Sequence, residues 1–580
     1  MNNPLVRLLR SLWHYGAAQR VGIIGYYCLF IMAEIAAGLT PYFFGLGFNA
    51  LQVSSSTMLY DSLFWLGMVI LCYWASSLFQ LPGLILEQLI AFKIKEHFLI
   101  TAYTDLTHLP LAWHHSNHSG SVVTSVNRAS LALYDFASRQ NMYFQSIVRL
   151  LISVVFLLWV SIPLGVVAIV LPIIIAVSVF WFDNKLIALY ELKNKLENRA
   201  GAVLLEYLSN ITTILTLRLG NFSRMSLVKH FGLAWKPYRE VVVLREIRQR
   251  IFGTLLTTVL FSLLMGYVVY SIATTGMVML GVFIMIGRYQ SEMNGVFWQL
   301  GGFYNDIVRM GSDVESMNEV FANIARHTQV SDELAMQAPV WQALTVSHLA
   351  FSHADTLRGP ALADVSLTLM RGQKVALIGA SGAGKSTLLN ILSGLYTAQS
   401  GSLTIDGVLY DSFMPLSRMT TLVPQDPELF DNSIEFNVTF DAPAKRSDIE
   451  LAVHRAGFAD ILATLPEGLE TNIKEKGLNL SVGQKQRLAL ARGLFAARNS
   501  SIVLMDEPTS SVDLGTEKQI LTGMFSALPE VTCIVSLHRL HLLPHFDVVI
   551  LLQEGRVIAA GPVAQLLETP GPVQDMWRAY

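Results

Sequence analysis

The sequence predicts two domains of different class. An all-α transmembrane domain of six spans covers residues 1–325, and an α/β domain covers 344–580, with a linker over 326–343. Three observations carry this. The 580-residue chain is 52% hydrophobic and only 14% charged, where an ordinary soluble protein carries about a quarter charged residues. Its apolar excess sits in the first 325 positions, where three long stretches lack any Lys or Arg. Beyond about Val346 a short buried-strand pattern runs into a glycine-rich loop and then a helical run. The net charge of −2 gives no pointer to nucleic acid. Cys28, Cys72 and Cys533 lie in apolar runs at unrelated spacings, which supports neither a disulfide framework nor a metal knuckle.

The stretch MNNPLVRLLRSLWHYGAAQR is basic and amphipathic. The apolar run behind it is too long for a signal-peptide core and shows no clear cleavage site. It reads as a cytoplasmic elbow against the membrane.

A bilayer core takes about 20 apolar residues per helix, and spans are expected to begin near Val21, Tyr60, Met142, Leu164, Ile251 and Thr275. No Lys or Arg occurs between Arg20 and Lys93, between Arg149 and Lys185, or between Arg250 and Arg288. Each gap holds two spans and a short outer loop, so the cation-rich segments between them face the cytoplasm. Two of those segments, roughly 88–141 and 184–250, keep helical periodicity with few breakers. Membrane helices are expected to continue through them and turn back at short bends, which could serve as contact points for a soluble motor domain.

Some charges fall at membrane depth: Glu34 in the first span, and Arg288 and Glu292 with Gln290 and Asn294 in the sixth. Such groups usually face a protein interior or a wet cavity. Arg288 and Glu292, spaced i, i+4, could pair on one helix face. A polar translocation surface, a structural ion pair and a span boundary near the interface all fit.

In the second half, KVALIG reads as a buried strand. GASGAGKST, residues 379–387, follows it and opens the helical run LLNILSGL. This is the pattern G-x-x-x-x-G-K-[ST] in its strand–loop–helix setting. Backbone N–H groups from Gly379, Ser381, Gly382, Ala383 and Gly384 can close around phosphates, and the helix start, with Thr387, adds favourable field. Lys385 would reach the β- and γ-phosphates and Ser386 would ligate Mg²⁺. A second strand, SIVLMDEP, delivers Asp506 to the Mg²⁺ shell and sets Glu507 to polarise an attacking water. These are the parts of a nucleotide hydrolase.

With VPQDPELF, LSVGQ, SSVD and SLHRL following in the family's order, the chain resembles an exporter-type half-molecule of the ABC transporters over nearly its whole length. The resemblance implies the ABC exporter fold. It also implies that Gln425 lies near Mg²⁺, that Asp513 ends the D-loop, and that His538 senses the γ-phosphate. TNIKEKG would turn Glu475 toward the cytoplasmic bends, which LPLAWHHSNHSG and LLEYLSNITTILTLRLGN resemble. His114, His115 and His118 stand in the first of these, where the family commonly has aromatics. The 114/118 pair has metal spacing, but packing is the better reading. LSVGQ resembles the signature, so Ser481 and Gly483, with Gln484 nearby, would contact the γ-phosphate of an ATP seated on a partner's Lys385.

Two domains would then pack head to tail, and one Walker set with one signature makes this chain half of a dimer. Glu507 and His538 are both present, which favours a homodimer while leaving a heterodimer open. His353 falls where an adenine-stacking tyrosine is usual, with Phe351 expected on the other face of its strand. Val482 replaces the signature's middle glycine and narrows the backbone there.

The resemblance implies ATP-driven export by alternating access. Alternatives are import on the same fold, as for siderophores, and an ATP-gated channel or regulatory subunit. LGGFYNDIVRMGSDVESM faintly resembles exporters linked to glutathione and iron–sulfur metabolism, a minor pointer to thiol-peptide cargo; lipid, peptide and drug cargo remain open. The half-transporter format and an N-terminus without transit-peptide character point to a bacterial inner membrane.

Overall fold

A computed structural model describes residues 4–52, 56–117, 119–275, 280–324, 341–353, 360–426, 428–474 and 479–579. The chain divides into two compact units, residues 1–107 with 116–328, and residues 108–115 with 329–580. Most of the expected linker, residues 326–340, lies outside the described residues.

The first unit is helical: α1 (Pro4–Tyr15), α2 (Arg20–Gly38), α3 (Thr40–Gln52), α4 (Met58–Thr107), α6 (Ser119–Ala137), α7 (Gln140–Val160), α8 (Ile162–Ser209), α9 (Ile211–Thr216), α10 (Gly220–Thr275) and α11 (Leu280–Ile324), while α5 (Leu111–Ser116), between α4 and α6 in the chain, falls in the second unit but for its last residue. The six expected spans fall on α2–α3, α4, α7, α8, α10 and α11. Among the described residues, Ala17–Gln52, Met58–Thr107 and Val122–Val160 are long and apolar enough to cross a membrane.

Two details differ from the sequence expectation. The first span is two helices that meet at Leu39, because Pro41 lacks the N–H that would continue the ladder of α2. The third span is likewise separated from its cytoplasmic extension, by a turn at Ser138–Arg139. Both segments expected to be cytoplasmic do turn back through short helices, α5 and α9.

Leu8 and Leu12 of α1 pack into a core with Tyr26, Phe30, Ile94, Phe98, Phe136 and Met310. Elsewhere Tyr289 stacks on Phe156 with ring centroids 5.0 Å apart and donates to the Gly38 carbonyl at 2.8 Å. The backbones of α3 and α11 meet at Gly45 and Gly281. There Asn49 Oδ1 and Gln52 Oε1 accept the N–H groups of Gly281 and Leu280 at 2.9 and 2.7 Å, so α3 satisfies donors that a helix start leaves unpaired.

The membrane-depth charges pair between helices. Arg149 of α7 grips Glu34 of α2 through two contacts, 3.0 and 3.3 Å, in the two-pronged geometry that suits guanidinium and carboxylate. Arg288 is not drawn to Glu292; its guanidinium lies over the Phe44 ring, 5.6 Å from the centroid. The expected pairing along one helix gives way to partners supplied by neighbours.

The second unit is α/β. An antiparallel sheet has the order β2-β1-β4-β5, and a six-stranded sheet the order β10-β9-β3-β8-β7-β6. The strands are β1 (Ala343–Phe351), β2 (Leu362–Met370), β3 (Lys374–Ile378), β4 (Ser400–Ile405), β5 (Val408–Tyr410), β6 (Thr420–Val423), β7 (Ile502–Asp506), β8 (Thr532–Ser536), β9 (Val548–Gln553) and β10 (Arg556–Pro562). From β9 to β6 every neighbour is parallel.

The helices are α12 (Lys385–Leu392), α13 (Met414–Ser417), α14 (Ile434–Thr439), α15 (Arg446–Arg455), α16 (Ala459–Thr464), α17 (Val482–Ala496), α18 (Leu514–Ala527), α19 (Val563–Glu568) and α20 (Pro572–Ala579). β3, β7 and β8 are buried at every residue, as strands covered on both faces must be. Alternate residues feed two cores: Ala376, Ile378, Val503 and Met505 face one, and Val375, Leu377, Ile502 and Leu504 the other.

Candidate functional site

The parallel strands β3, β8, β7 and β6 end on one edge of the six-stranded sheet, where open α/β sheets place ligands. The loop 379–384 follows β3. Gly379 has φ 152°, and a Cβ there would stand 2.2 Å from the Leu552 carbonyl; Gly384 has φ 102°, and a Cβ would stand 2.5 Å from that of Ala361. Side chains are thus excluded at both ends of the loop. Ser381 and Gly382 are exposed at its tip, Ala383 is buried beneath, and Ser386 faces solvent. Lys385, 7% exposed, donates from Nζ to the carbonyls of Gly379 and Ala380 at 2.8 and 3.2 Å. Its positive charge therefore stands over the loop with neutral acceptors alone among its described hydrogen bonds, an arrangement suited to an incoming anion.

Beside the loop, His353 Nε2 lies 3.4 Å from Thr387 Oγ1. Phe351 and Tyr396 stack at 5.4 Å, and the His353 ring stands edge-on to both, at 4.9 and 5.5 Å. This corrects the expectation for Phe351: residues two apart along a strand share a face, and both rings gather on Tyr396. Burial raises the Tyr396 phenol above its ordinary pKa.

Asp506 ends β7 and Ser536 ends β8. Ser536 Oγ donates to Asp506 Oδ1 at 2.6 Å and accepts the Glu507 N–H at 2.9 Å. Glu507 sits at φ 46°, an unusual conformation for a non-glycine residue. Gln425, just past β6, donates from Nε2 to Glu507 Oε2 at 2.9 Å, which leaves its Oε1 to accept or ligate. His538 is exposed past β8 and lines, with Glu507, Thr509, Ser510, Glu517 and Arg539, a cleft of about 250 Å³. The structure thus brings Gln425, Asp506 and Glu507 together through direct contacts and one serine.

Three participants escaped the sequence reading. Ser536 hides as the polar end of an apolar strand. Glu517 and Arg539 form a part-buried link: Glu517 accepts from Thr509 Oγ1 at 2.8 Å and from Arg539 Nη1 at 2.9 Å. Arg539 also donates to the carbonyls of Val512 and Ser510, at 2.9 and 3.2 Å. The segment 509–513 is thereby bolted to the residue after His538. Only the adjacency of Arg539 to His538 could have hinted at this.

Asp513 caps α18 by accepting the Thr516 N–H at 3.0 Å, and that bond holds its carboxyl below the usual range. Ser481 and Gln484 form a reciprocal capping box: Ser481 Oγ accepts the Gln484 N–H, and Gln484 Oε1 accepts the Ser481 N–H at 2.8 Å. The pair starts α17. A Cβ on Gly483 would stand 2.7 Å from the Ser511 carbonyl. Gln486, one turn from Val482, bonds both Ser510 Oγ and the Ser511 N–H, at 3.0 and 2.9 Å. Val482 itself points outward, 66% exposed. Farther along α17, Arg492 donates to the carbonyls of Asn437 and Glu428 and lies over the Phe430 and Phe440 rings. No described hydrogen bond joins residues 481–484 to the loop 379–384.

Glu475 and His118 lie outside the described residues, as does the His115 side chain. His114 meets the Trp113 ring edge-on at 5.1 Å.

Two family models match, "ABC transporter transmembrane region" over residues 23–231 and "ABC transporter" over residues 362–510. The ATP-binding cassette sub-family B member 6 of Mus musculus is 32% identical over 394 residues, 66% of this chain and 45% of that protein. Across the mammalian relatives of this name, the matched region spans about half of their length (45–57%). The ATM1-type heavy metal exporter of Novosphingobium aromaticivorans is 28% identical over 83% of this chain and 79% of its own. A solved structure described as a bacterial Atm1-family ABC exporter with ATP bound superposes with TM-score 0.83 at 24% identity. It covers 97% of this chain and 98% of that one, a likeness of fold.

Proposed function

The chain belongs to the ABC transporters, with one transmembrane region and one ATP-binding cassette in half-transporter format, and from that premise we propose an ATP-driven exporter that works as a homodimer. The observation that carries the reading is the cluster at the sheet edge, where Gln425 meets Glu507 and Ser536 joins Glu507 to Asp506, beside the loop topped by Lys385.

In this reading Lys385 turns from the loop carbonyls to the β- and γ-phosphates, and the N–H groups of 379–384 surround them. The hydroxyl of Ser386, the Asp506 carboxylate and Gln425 Oε1 form an all-oxygen set of the kind Mg²⁺ prefers. The metal would neutralise charge on the transferring phosphoryl group. Glu507 orients and polarises the attacking water, with Gln425 holding its carboxylate and His538 reaching the γ-phosphate. His353 stacks on adenine, backed by Phe351 and Tyr396. Ser481, Gly483 and Gln484 complete the ATP site of the second copy, with Asp513 at the same junction. Closure of the paired domains on ATP switches the side on which the membrane pathway opens, and hydrolysis resets it.

The names of relatives, a heavy metal exporter in Novosphingobium aromaticivorans and an iron–sulfur clusters transporter in Saccharomyces cerevisiae, support a cargo of thiol-containing peptides or their metal conjugates. A multi-pass location in a bacterial inner membrane fits the bacterial relative.

The test is sided uptake of glutathione conjugates into proteoliposomes. ATP added to outward-facing nucleotide domains should drive accumulation inside, and a Glu507→Gln protein should not support it. ATP-dependent loss of preloaded conjugate from the same vesicles would contradict export.

A further inference from the structure

We propose that α1 carries a binding site for the headgroups of anionic phospholipids, formed by Arg10, Trp13 and Arg20. The two faces of α1 differ in what they meet. Leu8 and Leu12 are 0% and 3% exposed and sit in the helical core. Arg7 anchors the same side to α11, bonding Glu315 at 3.0 Å and the Gly311 carbonyl at 3.2 Å. Pro4 approaches so closely that a Cβ on Gly311 would stand 2.7 Å from it. These contacts set which side of the helix is covered.

Its other side repeats at the helical interval. Val6, Leu9 and Trp13 are 54%, 42% and 44% exposed, and Arg10 is exposed one turn before Trp13. The stripe continues into the start of the first span, where Arg20 lays its guanidinium over the Trp13 ring, 4.8 Å from the centroid. An indole flanked by two arginines on an apolar stripe suits the headgroup layer: the ring and aliphatic stems enter the interface and the charged ends meet phosphate.

Charge selects the occupant. No Asp or Glu occurs before Glu34, and neither Arg10 nor Arg20 has an ion-pair partner among the described residues. The Arg20 guanidinium is oriented by the ring while its edge N–H donors stay available for two-pronged phosphate contact. Position selects it again, because α2 starts at Arg20 and holds the pair at the cytoplasmic boundary of the first span. Zwitterionic lipid offers the same interface without net charge, so the site should discriminate between the two. A basic residue near an anionic surface is worth about fivefold in binding, so the pair should favour anionic lipid by roughly twenty-five-fold at most.

The test uses the full chain in nanodiscs of phosphatidylcholine containing a minor fraction of either brominated phosphatidylglycerol or brominated phosphatidylcholine. Bromine quenches nearby indole, and subtracting a Trp13→Phe protein isolates Trp13 from the chain's 10 tryptophans. Brominated phosphatidylglycerol should quench Trp13 at several-fold lower mole fraction than brominated phosphatidylcholine. The Arg10→Gln/Arg20→Gln protein should lose that preference, and the Arg10→Lys/Arg20→Lys protein should keep most of it. Equal quenching by the two lipids overturns the proposal, as does a preference unchanged by the glutamine pair, or no quenching at all. Both arginines are exposed, so the variants should fold. The readout needs no ATP or cargo and stands apart from the export assay.

Discussion

Replacing Glu517 with alanine should destabilise the nucleotide-binding domain well beyond the effect of a typical substitution. Glu517 is 2% exposed and both carboxylate oxygens are used, one by Thr509 and the other by Arg539. Breaking a buried ion pair by removing one partner costs about 3–5 kcal/mol. Arg539 keeps two carbonyl acceptors, and its side chain is 30% exposed, so water relieves part of the loss. That places the expected cost near the lower limit, about 3 kcal/mol. For a domain of this size, each kcal/mol moves the midpoint by about 2–4 °C, so the transition should fall by about 6–12 °C.

Scanning calorimetry of the full chain reads it, with the relevant transition identified as the one ATP shifts upward. A double-mutant cycle with Arg539→Ala should show coupling of at least about 1.5 kcal/mol. A Glu517→Ala transition within 2 °C of the parent (about 1 kcal/mol or less), or a coupling near zero, would refute the link between 509–513 and the residue after His538.

Two further outcomes follow from neighbouring contacts. Gly483→Ala puts a methyl 2.7 Å from the Ser511 carbonyl and should cost about 1–3 kcal/mol as the segment shifts, whereas Val482→Gly, at an exposed position, should cost about 1 kcal/mol or less; urea unfolding compares them, and a larger effect at Val482 would contradict the packing. Asp513 has its carboxyl pKa depressed by the Thr516 N–H. Its contribution to the α18 cap is therefore present above the ordinary Asp pKa, about 3.9, and lost as pH falls through the folded value. Exchange protection of the Thr516 amide should drop on acidification in the parent and be flat with pH in Asp513→Asn; parallel profiles would dismiss the cap.

How far each feature was legible depends on how local its cause is. The phosphate loop could be read directly, since strand, glycines and lysine are contiguous and each has a local reason. The helical membrane domain was legible from the gaps between cations. Long-range partners were not. Glu34 finds Arg149 across 115 positions, and the nearer candidate pair, Arg288 with Glu292, does not form. Ser536 bridges Asp506 and Glu507 only because β7 and β8 lie side by side, an order the sequence does not state. Phe351 shares a face with His353 by the strand period itself, and the break at Leu39 follows from Pro41, where apolar composition alone implies one unbroken span. The signature stretch shows the opposite limit: Ser481 and Gln484 have a complete local role in starting α17, so their contacts within one chain reveal nothing of a second copy.

That second copy is the centre of the account. Copies carrying Lys385→Ala and copies carrying Ser481→Glu, each with its own affinity tag, can be co-expressed and the mixed dimer purified through both tags. Either protein alone should be inactive, because every site then lacks its lysine or its serine. If each ATP lies between the loop of one chain and the signature of the other, the mixed dimer has one doubly damaged site and one intact site. Its ATP hydrolysis should then recover toward half the parental rate. A mixed dimer as inactive as its parents would contradict the shared site and leave each chain to work with its own residues.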